Sequence, residues 1–307
     1  MSFKFKYTFF HKVILLVSLS SCEKSEFQEE WSGLNASTVG KGFFTYNYSV
    51  NEYSKSLKVY FYIPQNKTES TPVLFAFHGN NRNAEEYRDV LINLANSKNV
   101  IVIVPEFSES TFPGSNAYHL GNVYQNGEQP SNASLNPEHQ WSFTIVETLF
   151  DYLKSELNNS SDEYYAVGHS AGAQFLHRFL MFKQYNRIHK CVISASGWYT
   201  FPDENVDFPY GIKNSILSNF DKQLFYQKKV FVQVGELDNN PNDPNVRRNP
   251  IVDLQGIHRL ERALNYYNYC MTQAQENQIE IYWELSLRPQ ENHNFSRAVK
   301  DAFNLLF

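Results

Sequence analysis

Apolar and polar positions along the chain follow two different periods. Phe43 to Tyr48 and Leu57 to Ile63 alternate with period two, separated by Asn51-Glu52, which predicts an antiparallel pair of strands. Pro72 to Phe77 and Val100 to Val104 are almost continuously apolar, the pattern of strands covered on both faces. Between them, Ala84 to Ser97 places Tyr87, Val90, Leu91 and Leu94 at helical spacing. Further helices are predicted over 141–157, 173–181, 254–271 and 298–306, and further strands over 163–167, 192–196, 230–234 and 279–287. Alternation of this kind predicts an α/β fold: a mostly parallel, doubly wound sheet with helices on both faces, forming one domain over 36–307. Functional groups in such sheets gather at the carboxyl ends of the strands. Ser108 to Asn136 breaks the alternation with Ser, Asn, Gly and Pro and little periodicity. A loop that long is more often functional than filler, and a lid is one reading of it.

The first residues have a different character. Lys4, Lys6, His11 and Lys12 form a positive front, and Val13 to Ser21 is apolar but too short to span a bilayer as a helix. The stretch ends Leu19-Ser20-Ser21-Cys22, which resembles a bacterial lipobox. The resemblance implies a signal peptide over 1–21 and acylation of Cys22, for example with palmitate, as the mature N-terminus. An ordinary secretory signal containing a cysteine is the alternative. Loss of Lys4, Lys6 and Lys12 with the leader takes the formal charge from −5 to −8. Residues 22–35 begin with an acidic, polar run and are expected to be a flexible tether. The run following Cys22 resembles the surface-export signal of some outer-membrane lipoproteins, and equally suits a solvated linker. The expected location is therefore the bacterial outer membrane, lipid-anchored, with a membrane partner. The acidic balance argues against a nucleic-acid partner.

Chemistry concentrates at Gly168-His169-Ser170-Ala171-Gly172, after the strand-like 163–167 and before the helix-like 173–181. Three fixed positions arise by chance about one time in ten in a chain of this length, so the strand-turn-helix context carries the weight. A Gly-x-Ser-x-Gly turn there holds the serine on a sharp, strained bend at the top of a sheet. A serine hydroxyl needs a base to take its proton and an acid to orient that base. Downstream, Asp238 closes 230–234 through Gly235-Glu236-Leu237, with Asp243 in reserve, and His293 follows the last strand in Asn292-His293-Asn294. Ser170, Asp238 and His293 are the candidate catalytic residues. His169 is expected to point away from His293. His78, His177, His189 and His258 are read as structural. The backbone N–H groups of Ala171 and Asn80 are the candidate oxyanion donors. Asn80 belongs to the turn His78-Gly79-Asn80-Asn81 after a buried strand.

These residues resemble the α/β-hydrolase superfamily of serine esterases. The likeness covers nearly the whole mature chain, through HGNN, GHSAG, GELD and NHN. HGNNRNAEEY and GHSAGAQFLHRFL are similar to the branch containing polyhydroxybutyrate depolymerases and feruloyl or acetyl-xylan esterases. Members of that branch commonly carry HGCGG-like turns and a Gly-Gly-His lead-in, whereas this chain has HGNN and Glu291-Asn292-His293. The resemblance implies a carboxylic ester hydrolase that needs no cofactor and no metal. An exported location suggests acyl decorations of a polysaccharide as substrate. A catalytically retired glycan-binding lipoprotein and a peptidase or acyltransferase with the same triad are the alternatives.

Trp198 and Tyr199 are the candidate substrate-pocket residues, in an aromatic cluster with Phe201, Phe208 and Tyr210 that equally suits a local core. Arg247 and Arg248 read as a structurally paired couple, or as partners for an anionic group such as a uronate. Cys191 and Cys270 read as buried thiols, with a disulfide between them left open.

Overall fold

The computed structural model describes residues 30–307, so the leader and Cys22 lie outside the described residues. Nine strands form one sheet: β1 (Glu30–Trp31), β2 (Gly40–Val50), β3 (Tyr53–Ile63), β4 (Val73–Phe77), β5 (Ile101–Pro105), β6 (Tyr164–His169), β7 (Ile188–Ser194), β8 (Lys229–Gly235) and β9 (Trp283–Arg288). Their spatial order is β1-β2-β3-β5-β4-β6-β7-β8-β9. The β2–β3 and β3–β5 pairs are antiparallel and the rest parallel. The predicted antiparallel pair closes through Asn51-Glu52, with Val50 opposite Tyr53 and Asn51 at φ 53°. Asparagine tolerates that left-handed conformation, as a two-residue hairpin turn requires.

The helices are α1 (Ala84–Lys98), α2 (Gly114–Ala117), α3 (Ser142–Leu157), α4 (Ala171–Phe182), α5 (Lys222–Tyr226), α6 (Arg259–Glu276) and α7 (Phe295–Leu306). Successive side chains of β4 point to opposite faces, and both faces are buried. Leu74 and Ala76 belong to the core shared with α1 and α7, while Phe75 and Phe77 belong to the core shared with α3, α4 and α6 and contact Phe150 and Phe175 directly. Right-handed crossovers explain this division: α1 links β4 to β5 in one direction across the sheet, whereas α3, α4 and α6 accompany steps in the other.

Element edges moved where special backbone intervenes. The predicted helix 254–271 begins at Arg259, because Val252–Gln255 forms a 3₁₀ turn and Gly256 breaks the chain at φ 127°. The strand expected from 192 starts at Ile188, its first turn masked by half-exposed His189 and Lys190. Glu30–Trp31 pairs with Phe43 and Phe44, and Leu34 is buried. Residues 30–35 of the predicted tether therefore belong to the fold, held by the apolar Trp31 and Leu34. The long segment 108–136 is a packed wall, with Phe112, Tyr118, Leu120, Val123 and Tyr124 buried. Among the described residues no helix is long and apolar enough to cross a membrane.

Candidate active site

Strand order reverses between β4 and β6, so a crevice opens at their carboxyl ends, where ligands bind in sheets of this type. Ser170 follows β6 with φ 56° and ψ −115°, a strained conformation for any residue bearing a Cβ. Its N–H donates to the Ser194 carbonyl at 2.9 Å. A Cβ at Gly168 would lie 2.2 Å from the Gly172 oxygen, and one at Gly172 would lie 2.0 Å from the Phe77 oxygen. Both glycines are thus fixed by close backbone approach, which lets α4 start directly against β4 and β6. Ala171 opens α4, so its N–H lies at the positive end of the helix without an intrahelical acceptor. The Asn80 N–H likewise has no backbone acceptor among the described residues.

The acid and base arrive on two loops that lie flush. A Cβ at Gly235 would sit 2.2 Å from the Glu291 oxygen. The Glu236 and Leu237 N–H groups donate to the Arg288 and Glu291 carbonyls at 3.1 and 2.9 Å. This places His293 Nδ1 2.6 Å from Asp238 Oδ2. The Nδ1–H donates to the carboxylate, which leaves Nε2 as the proton acceptor. Arg259 donates to the other Asp238 oxygen at 3.1 Å and to Asp243 at 2.6 Å. Asp243, the reserve acid, therefore serves Arg259, while Asp238 contacts the histidine.

Ser170, His293, Asn80, Ala171 and Trp198 line one cavity of about 430 Å³, within the size range of small-molecule sites. The Ser170 hydroxyl has no hydrogen-bond partner among the described residues; in free hydrolases such contacts are commonly loose and tighten with substrate. Tyr199 does not reach the cavity. It is fully buried and stacks on Tyr266 at 4.2 Å, because the chain turns inward after Trp198 and its N–H and C=O are claimed by Gln255. Arg247 pairs with Glu128, and Arg248 with Asp253. Cys191 and Cys270 are both buried free thiols.

His169 departs from expectation. Its ring packs against that of His293, centroids 4.5 Å apart, rather than turning away. In β6, His169 is preceded by Gly168, and alternation along the strand sends its side chain to the face covered by α1 and α7. There Tyr87 Oη accepts from the Gly79 N–H at 3.0 Å and lies 3.3 Å from His169 Nδ1, while the Tyr87 ring stacks on Phe295 at 4.7 Å. Tyr87 thus ties the turn after β4, the elbow and the start of α7 together. Burial, and then neighbouring His293, holds His169 well below the ordinary histidine range, so it is neutral beside the base.

His78 and His177 make structural contacts, as the sequence suggested. His78 accepts from the Phe107 N–H and contacts the Gly79 oxygen, and burial pushes it down to about 4. His177 bridges the Ala173 carbonyl and the Thr200 N–H. The pocket residue hidden from sequence reading is His119, in the long segment 108–136. Its Nδ1 donates to Gln174 Oε1 at 3.0 Å, and burial with nearby Arg178 lowers it to about 3. Among the described residues no group of three or more His, Cys, Asp or Glu is placed to hold a metal ion.

The strand order and the elbow beside it define an α/β-hydrolase fold. The chain belongs to the Esterase family, which matches residues 51–295, and it is a carboxylic ester hydrolase. Poly(aspartic acid) hydrolase-1 from Sphingomonas sp. KT-1 is similar at 32% identity, over 87% of this chain and 98% of that one, with a TM-score of 0.80. LpqC, a poly(3-hydroxybutyrate) depolymerase from Bordetella parapertussis, shares the fold at 24% identity over 88% and 90% of the two chains, also at 0.80. An S-formylglutathione hydrolase from Agrobacterium tumefaciens shares it more distantly, at 14% identity over 88% and 94% of the chains and a TM-score of 0.53. A search of the curated proteins found no match.

Proposed function

We propose that this esterase acts through Ser170, His293 and Asp238. The observation that carries the reading is the 2.6 Å contact from His293 to buried Asp238, with His293 and Ser170 on the same cavity. Ser170 Oγ attacks the ester carbonyl while His293 Nε2 takes its proton. The resulting oxyanion is held by the Ala171 and Asn80 N–H groups, aided by the positive end of α4. Collapse breaks the bond to the alcohol oxygen, which receives the proton from His293. Water, deprotonated by the same histidine, then releases the acid from Ser170. Asp238 holds the ring and stabilises its protonated form, and Arg259 fixes the carboxylate from behind.

Export and lipid anchoring through Cys22 rest on the leader sequence, and acyl groups of polysaccharides are the substrates consistent with that location. A fluorophosphonate probe should label the wild type and not Ser170→Ala. Undiminished labelling of Ser170→Ala would falsify the nucleophile assignment. Metabolic incorporation of an alkyne fatty acid should disappear in Cys22→Ser, and persistence would remove the anchor. The similarity at 32% identity to a poly(aspartic acid) hydrolase favours amide cleavage as a second activity of the same triad. Amine release from aspartyl oligomers at a rate comparable to ester hydrolysis would support it.

A further inference from the structure

Resting on the ester-cleaving reading above, we propose that the cavity selects substrates carrying a carboxylate, recognised at the wall formed by His119, Gln174, Trp198 and Arg247. The chain as a whole is acidic, with 32 Asp and Glu against 27 Lys and Arg. Yet among the described residues none that lines the cavity is acidic, and one, Arg247, is an arginine. The remaining polar lining consists of neutral groups able to donate to an anion, chiefly Asn80, Asn81, Asn83, Ser115 and Asn245.

A second cation lies immediately behind this wall. Arg178 is fully buried and has no carboxylate partner among the described residues. It donates to Thr200 Oγ1 and to the His119 and Gln174 carbonyls, its guanidinium lies 4.0 Å from the Trp198 ring centroid, and one of its terminal nitrogens is unpartnered. Arg247 lies 5.0 Å from the same ring. A buried charge without a counter-ion is costly unless something else supplies the opposite charge. Its hydrogen bonds go to neutral oxygens, so they bring no opposite charge to it.

The acidic group that acts on Arg178 is Glu128, and it is shared with Arg247. Glu128 is bound by both terminal nitrogens of Arg247, at 2.8 and 3.0 Å. Asp238 and Asp243 are claimed by Arg259 and His293, and Glu109 by Arg82. His119 responds as expected of a positive surrounding. Burial lowers its pKa first, and the charges of Arg178, Arg82 and Arg247 lower it further. The ring stays neutral, and its Nδ1–H is committed to Gln174. The wall is therefore a neutral donor surface backed by two guanidiniums and the single carboxylate of Glu128, one positive charge in excess, which suits one carboxylate on an otherwise ordinary ester.

Two matched pairs of esters test this, one for each side of the scissile bond. On the acyl side, 4-nitrophenyl hydrogen adipate is compared with 4-nitrophenyl methyl adipate. On the alcohol side, 4-acetoxybenzoate is compared with 4-acetoxybenzamide. The quantity read is the anionic-to-neutral ratio of kcat/KM, divided by the same ratio for hydroxide-catalysed hydrolysis. In at least one pair the corrected ratio should be about tenfold above unity at low salt and should fall as salt screens the charges. Arg247→Gln should lower the ratio by about tenfold, and Glu128→Gln, which removes the counter-charge, should raise it. Wild-type ratios at or below unity in both pairs, or an unchanged ratio in Arg247→Gln, would overturn the inference while leaving the esterase intact. Failure to hydrolyse any ester, together with absent fluorophosphonate labelling, would instead remove the reading beneath it.

Discussion

Replacing Ser170 by glycine should make the protein more stable while destroying its activity. The reason is local: Ser170 stands at φ 56° and ψ −115°, and the requirement for a side chain there forces a Cβ into a region natural to glycine. Strain of this kind costs about 1–3 kcal/mol. Glycine gives back about 0.5–1 kcal/mol of it through the greater freedom of the unfolded chain. Little packing is lost, since Ser170 is only half-buried and its hydroxyl has no partner among the described residues. The net gain over Ser170→Ala, which keeps the Cβ and loses the same hydroxyl, should be about 1 kcal/mol. For a domain of this size that is a rise in melting temperature of about 2 °C. Thermal and urea unfolding of the two variants side by side provide the assay, and both should be inactive toward 4-nitrophenyl acetate. If Ser170→Gly melts at or below Ser170→Ala, the elbow stores no strain and this account of it fails.

Three further outcomes follow from named contacts. Asp238→Asn should lower kcat/KM by about a thousandfold or more, because the amide no longer holds the Nδ1–H tautomer of His293. Asp243→Asn, which touches Arg259 rather than the histidine, should cost much less; equal losses in ester assays would undo the assignment. Tyr87→Phe strips the acceptor from the Gly79 N–H and the partner from His169, leaving buried groups unpaired. It should destabilise by about 2–3 kcal/mol in urea titrations, and a neutral result would deny Tyr87 its place as a tie between loops. His78 has a folded-state pKa of about 4 against 6.5 in the free side chain, so on acidification the unfolded chain binds this proton first. Its stabilisation is complete above about pH 6.5 and is lost as the pH falls toward 4, about 3 kcal/mol in all. Urea midpoints from pH 7.5 to 4.5 should fall more steeply for the wild type than for His78→Asn, and parallel curves would exclude the effect.

How much could be seen in advance depended on how local the cause was. The elbow is written in five consecutive residues, since the two glycines clear space for a backbone approach that involves only the strand before and the strand beside. The order of β4, α1, β5, α3, β6 and α4 was equally legible, because burial on both faces leaves unbroken apolar runs. Asp238 and His293 could be placed at strand ends, but only the fold shows that Gly235 lets the two loops touch. What the sequence left open or misdirected shares one origin. Sequence neighbours leave Tyr199 equally suited to a pocket or a local core and turn His169 away from His293, whereas their directions are set by Gln255 and Tyr266 in one case and by Tyr87 and His293 in the other.

The same reasoning explains why the substrate side of the cavity left so faint a trace. A nucleophile elbow must be built from particular residues at fixed spacing, because the constraint is backbone geometry. An electrostatic preference can be built from charges far apart in the chain, provided that they converge and that opposing charges are occupied elsewhere. Arg178 looks in sequence like one of three polar residues, with Gln174 and His177, in a largely apolar helix, and Arg247 like one of a surface couple. Only their common approach to Trp198, from α4 and from the loop before α6, turns them into one feature. Even the pairing of Arg247 with Glu128, which by itself suggests a merely structural role, joins the 108–136 segment to the far rim of the cavity. Segment 108–136 therefore does more than cover the site: by carrying His119, Ser115 and Glu128 it sets both the polarity of one wall and the strength of the positive charge behind it.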